Sequence, residues 1–168
     1  MQKLVVILLS LMLGFNVSGK AQKRIITLSG ALTETVDALG YGTQIVAVDV
    51  TSTYPAYINK LPKVSKDRAI SAEGIISFTP DLVLAPENAI SKSLEYQLKS
   101  AKIKVIIIKQ EFSAKGAPIF IKQVASALGN PAKGEQLAKQ TEISINKALA
   151  DVKKNPKSPK VLFLYARG

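Results

Sequence analysis

Cysteine, histidine and tryptophan are absent from all 168 residues, and each absence removes a class of chemistry. The chain can build no disulfide framework, no thiol nucleophile, no thiolate or imidazole zinc site and no Ser-His-Asp triad. Tyr, Asp, Glu, Lys and Arg are left for metal binding or catalysis. Acidic residues are also few: 12 Asp and Glu stand against 23 Lys and Arg, a formal net charge of +11. The length suits one domain with a proper core, since about 150 residues bury roughly 70% of their unfolded surface. It leaves no room for two full domains.

The first 21 residues read as a secretory signal. Lys3 supplies the positive start, Leu4 to Val17 form an apolar run of about fourteen residues, and small residues follow at Ser18-Gly19 and Ala21. The run is short for a membrane span, which needs about 20 apolar residues, and no cysteine exists to carry a lipid anchor. Without these residues the chain keeps 21 basic and 12 acidic side chains, a net charge of +9. Such a balance can serve nucleic acid, an anionic membrane or an acidic ligand. The lysines, however, are scattered from Lys60 to Lys160 and are not interleaved with stacking aromatics. They read as a solvated surface, and no nucleic-acid partner is expected of an exported chain.

Periodicity predicts strands alternating with helices. Arg24 to Leu28, Gln44 to Val48, Asp81 to Ala85 and Lys104 to Ile108 are short β-prone apolar runs. Between them, Leu32, Val36 and Leu39 fall at helical spacing and stop at Gly40, Ser71 caps a short helix to Phe78, and Leu94, Leu98 and Ala101 form a further stripe. Phe120, Val124 and Leu128 mark the helix after the fourth strand. Asp49 to Asp67, rich in Thr, Ser, Pro and Lys, reads as a long loop with one turn of helix after Pro55. Strands separated by helices imply βαβ crossovers and a largely parallel sheet.

The last third differs. From Pro131 to Lys154 the only Pro or Gly beyond the start is Gly134, and Leu137, Thr141, Ile145, Ala148 and Val152 fall on one seam. Such a helix is roughly 36 Å long. Asn155 to Lys160 then breaks it, and Val161 to Tyr165 reads as the start of a new core-type strand. The expected organisation is an export signal at 1–21, an α/β lobe at 22–130, a rigid linking helix at 131–154 and the start of a truncated second lobe at 155–168.

Several stretches carry a family resemblance: the LSG-x-x-TE turn from Leu28, the TS-x-YP loop from Thr51, the RA-x-S-x-EG-x-x-S-x-x-PDLV block from Arg68 and the ARG ending. In this order they resemble the substrate-binding proteins of iron-complex and cobalamin ABC importers, and most nearly the haemin-binding periplasmic branch. The resemblance covers residues 24–168. It implies a Rossmann-like lobe with a parallel sheet flanked by helices, a linking helix, and a ligand held between this lobe and a second one.

What the resemblance implies for single residues follows. Tyr54, in the TS-x-YP loop, would give its phenolate to a ferric haem iron, a hard anionic donor for a hard cation. Tyr57 is the competitor within the same loop and lacks the motif match. Arg68 would meet a haem propionate or the phenolate, because a guanidinium is a fixed multiple donor; Arg167 would face the cleft from the opposite side, close to where some relatives place a second iron ligand, though arginine does not itself ligate iron. Ser29 and Gly30, after the first strand, and Glu87, after the third, would line the cleft. Glu73 would dock on arginines of the inner-membrane permease dimer, setting orientation and on-rate. The implied protein is a monomeric periplasmic haem carrier, without lipid anchor and without catalysis. Ferric siderophore or cobalamin is the alternative cargo. An exported α/β enzyme is the other class, but the sequence has no phosphate loop, dinucleotide fingerprint or nucleophile elbow. A zinc or manganese carrier on the same scaffold would ordinarily rely on histidine.

Overall fold

The computed structural model describes residues 23–65, 69–154 and 160–164. Four strands, β1 (Ile25–Thr27), β2 (Ile45–Val48), β3 (Leu82–Pro86) and β4 (Lys104–Ile108), form one sheet in the order β2-β1-β3-β4. Every pairing is parallel. The expected α/β class and parallel sheet are what the chain adopts.

Five α-helices flank it: α1 (Gly30–Val36), α2 (Ala72–Ile76), α3 (Lys92–Ser100), α4 (Gly116–Leu128) and α5 (Pro131–Lys154). Serine hydroxyls start three of them, Ser29, Ser71 and Ser91 accepting from the backbone N–H of Leu32, Gly74 and Leu94, as N-caps do. The first helix does not stop cleanly at Gly40. It passes into a π turn over Asp37–Tyr41, where Gly40 takes φ 78°. A short 3-10 turn over Ala56–Lys60 sits where one helical turn was expected after Pro55.

Side chains alternate through the sheet. Ile25, Leu82 and Leu84 face a core closed by Leu32, Val36, Phe120, Val124 and Leu128 of α1 and α4. Ile26, Val83 and Ala85 face a second core closed by Ala72, Ile75, Leu94 and Leu98 of α2 and α3. A sheet buried on both faces explains why its strands read as continuous apolar runs.

Two expectations for the last third need correction. Gly134 and Ala138 are the buried residues of α5, and Leu137, Thr141 and Ile145 are only partly covered. Ala148 is exposed, and Val152 is 69% exposed. The reason is length: α4 has 13 residues and α5 has 24, about 20 Å against about 36 Å, so α4 covers only the first half of its neighbour. Val161 to Leu164 are in no strand and are 81–83% exposed. Strand conformation needs a hydrogen-bonding neighbour, and no described residue pairs with them. Tyr165 and the signal segment 1–21 lie outside the described residues. Among the described residues no helix is long and apolar enough to cross a membrane.

Candidate ligand-binding site

The strand order reverses between β1 and β3, so the loops leaving their carboxyl ends diverge and open a crevice, the usual place for a ligand on an open parallel sheet. Ser29 and Gly30 follow β1 and Glu87 follows β3, on either side of that point. The loop after β2 carries Tyr54.

That loop is built on a buried polar chain. Thr27, Thr33 and Ser52 are fully buried and Asp49 nearly so. Asp49 accepts from Ser52 Oγ and Thr51 Oγ1 at 2.5 Å each and from Thr51 N at 3.1 Å. Each hydroxyl has one proton and a carboxylate only accepts. Ser52, having given its proton to Asp49, therefore accepts from Thr33 at 2.8 Å, the Thr33 hydroxyl sharing its one proton with the Ser29 carbonyl at 3.0 Å, and Thr33 accepts from Thr27 at 2.6 Å. The chain fastens the loop to β1 and α1 at once. Lys63 Nζ donates to the Ser52 carbonyl at 2.5 Å and Asn59 Nδ2 to the Thr53 carbonyl at 2.9 Å. On the far side, Ile58 is fully buried in the first core.

Tyr54 is mounted between these two anchors and is itself 64% exposed; its peptide bond to Pro55 is cis. Its hydroxyl has no hydrogen-bond partner among the described residues. Tyr57, three residues on, is engaged: its hydroxyl donates to Asp37 Oδ1. Partial desolvation of the Tyr57 hydroxyl first, and then the hydrogen bond to and charge of Asp37, push its phenol up to about 12. Of the two phenols in the loop, only Tyr54 is open to a ligand.

One hollow adjoins it, and a second adjoins the first. One, of about 400 Å³, is lined by Glu34, Thr35, Asp37, Tyr54, Pro55 and Ile121, with α5 residues closing one side. The other, of about 310 Å³, is lined by Glu34, Thr35 and Ile121 again, with Gln110 to Ser113 and α4 residues. Phe112 on its rim is 89% exposed.

The sequence-predicted residues divide accordingly. Tyr54 lines a hollow. Ser29 and Gly30 share the carboxyl edge of the sheet but line neither hollow, and the Ser29 hydroxyl is committed to capping α1. Gly30 is not sterically required, because an added Cβ would make only ordinary contact with the Thr51 carbonyl, at 3.5 Å. Glu87 is exposed in the turn after β3. Glu73 is exposed on the first turn of α2, with an acid's usual preference for that position. Arg68 and Arg167 lie outside the described residues. Sequence reasoning missed Glu34, Asp37 and Phe112. Glu34 closes the LSG-x-x-TE turn, and its place one helical turn beyond Gly30 was the available signal.

The profile of the periplasmic binding protein family matches residues 25–168. Among solved structures, the periplasmic haem-binding protein RhuT from Roseiflexus sp. RS-1, in its apo form, superimposes with a TM-score of 0.81 at 38% identity, covering 88% of this chain and 57% of that one. An uncharacterised ABC transporter substrate-binding lipoprotein of Bacillus subtilis is 41% identical over 98 residues, which are 56% of this chain and 31% of that protein. A vitamin B12-binding protein of Vibrio vulnificus is 43% identical over 89 residues, 51% of this chain and 33% of that protein. The alignments thus span about a third of these curated relatives and just over half of the solved chain. A parallel sheet with diverging loops at its carboxyl edge, and a profile match running from β1 to the last residue, lead to one conclusion: the chain belongs to the periplasmic binding protein family.

Proposed function

We propose that this chain is the haem-capturing lobe of a periplasmic carrier that serves an ABC importer, with Tyr54 as the ligand of the ferric iron. The observation that carries the reading is the contrast between the two phenols of one loop: Tyr57 is held by Asp37, while Tyr54 is exposed beside a hollow and has no hydroxyl partner among the described residues. An unpartnered phenol loses no internal hydrogen bond on metallation, and its phenolate suits Fe(III). The likeness to a haem-binding protein over most of this chain supports haem as cargo.

On this reading haem enters from the carboxyl edge of the sheet, and Tyr54 binds iron by exchanging its phenol proton for the metal. Binding therefore releases a proton. Ser29, Gly30 and Glu87 border the ligand, and the guanidinium groups of Arg68 and Arg167 meet its carboxylates. A second lobe supplies the opposite wall and any sixth iron ligand. Glu73 is the docking residue for the permease, exposed on the first turn of α2.

The test is a titration of the protein with ferric haem followed by absorbance, with Tyr54→Phe and Tyr57→Phe in parallel. The expected result is a high-spin tyrosinate spectrum in the wild type and in Tyr57→Phe that is lost in Tyr54→Phe. Saturation with cobalamin and none with haem would overturn the assignment in favour of the cargo named for the Vibrio relative. A tyrosinate spectrum that survives in Tyr54→Phe would overturn the ligand.

A further inference from the structure

We infer that Glu34 determines which edge of the ligand faces this lobe, an inference that rests on the haem reading above. Glu34, Thr35 and Ile121 line both hollows, so the two are parts of one trough. It runs from Tyr54 and Pro55, beyond the end of β2, to Phe112, beyond the end of β4. These strands are the two edges of the sheet, three strand spacings or about 14 Å apart, so the rim of a porphyrin whose iron is held at the Tyr54 end reaches toward the middle of the trough.

Charge in the trough runs against the charge of the chain. Lys and Arg outnumber Asp and Glu 23 to 12, yet none of the described lining residues is basic and three are acidic: Glu34, Asp37 and Glu111. Two of the three are occupied, Asp37 by the Tyr57 hydroxyl and Glu111 by the Ser113 hydroxyl at 2.7 Å. The Glu34 carboxylate has no hydrogen-bond or ion-pair partner among the described residues, and the residue is exposed to solvent. It stands in the wall common to both hollows, among Ala31, Ala117, Phe120, Ile121 and Leu137.

A trough whose described wall carries carboxylates and no base accepts a hydrocarbon edge and repels an anionic one, and Glu34, at its middle, is the carboxylate that no hydroxyl holds. Ferric haem has both kinds of edge: methyl and vinyl groups on one side, two propionates on the other. Glu34 therefore turns the propionates away from the α1–α4 side, and the hydrocarbon edge enters. This is a specificity role, exercised by repulsion, and Glu34 ligates nothing.

Wild type, Glu34→Gln and Glu34→Lys are each titrated with ferric haem and with its dimethyl ester, whose carboxyl edge is uncharged. Orientation is read from the haem-methyl proton resonances. With haem, one set is expected in the wild type, two in Glu34→Gln and a reversed dominant set in Glu34→Lys. The dimethyl ester should give both sets already in the wild type. Glu34→Lys should bind haem roughly tenfold tighter and the ester unchanged. One and the same set in all three proteins would overturn the inference, as would equal changes of affinity for haem and ester, which would mark a merely structural effect. If the wild type binds haem through Tyr54 and orientation ignores residue 34, this inference alone fails. If the wild type takes up no haem, the cargo assignment fails and this inference falls with it.

Discussion

Tyr57 donates its hydroxyl to Asp37 Oδ1 from twenty positions further along the chain, tying the 3-10 turn after Pro55 to the π turn after α1. Gly42 makes the bond possible. A Cβ at that position would fall on the Asp37 carboxylate and on the Tyr57 hydroxyl. The bond has two consequences for the site: it removes one phenol from competition for a ligand, and it holds the far side of the loop that presents the other.

The first prediction concerns pH. Tyr57 is raised in the folded protein from the ordinary 10 to about 12, so the fold favours its protonated form. Its contribution to stability is complete below about pH 10 and is lost as pH rises toward 12. In a spectrophotometric titration of the five tyrosines, one late step near 12 is expected, absent in Tyr57→Phe and moved down in Asp37→Asn. A late step that persists in Tyr57→Phe would assign it to another tyrosine.

Gly42→Ala is expected to break the same bond by collision, with the backbone unstrained because Gly42 has φ −56°. Overpacking of this kind costs about 1–3 kcal/mol. Loss of the hydrogen bond alone, in Tyr57→Phe, costs about 0.5–1.5 kcal/mol. Urea unfolding of both variants should therefore rank Gly42→Ala as the less stable.

The buried hydroxyl chain offers a separate test. Thr33→Val keeps the shape of the side chain but removes the group that both accepts from Thr27 and donates to Ser52. Leaving buried partners unsatisfied costs about 1–3 kcal/mol, and the cost should appear as a lower urea midpoint with an unchanged slope. Because Ser52 lies two residues before Tyr54, the proposed affinity for haem should weaken as well. An unaffected affinity would show that the loop does not depend on this anchor.

Along α5 the two ends should respond in opposite ways. A Cβ on Gly134 would meet Ala125 of α4, so Gly134→Leu must separate the helices, at about 1–3 kcal/mol. Val152, at 69% exposed, has nothing to lose, and Val152→Lys should stay within about 0.5 kcal/mol of the wild type. Thermal unfolding of the pair decides whether the seam ends where α4 ends.

Much of the architecture was legible because it depends on local pattern. The four apolar runs became four strands, for a strand buried on both faces needs little but consecutive Ile, Val and Leu. Ser29, Ser71 and Ser91 mark helix starts within a few residues of where the hydroxyl is needed, so capping too is local. The seam of α5 from Leu137 to Val152 is covered only as far as Ile145, which periodicity could not foresee because it reports which residues share a face and not how long the opposing helix is. Val161 to Leu164 show the same limit: β-propensity names a segment that could pair, and pairing requires a neighbour.

The candidate site was legible only in part. Sequence motif and loop position single out Tyr54, and composition excludes imidazole and thiolate chemistry outright. Those conclusions need no coordinates, because the absence of a residue type holds in any fold. What the structure added to the motif's preference for Tyr54 over Tyr57 was the Asp37 bond, and what raised Glu34 to notice was the wall it shares between two hollows. Both depend on residues brought together from α1, α4 and the loop after β2, and contacts at such separations are decided by how the helices pack on the sheet, which no local pattern encodes.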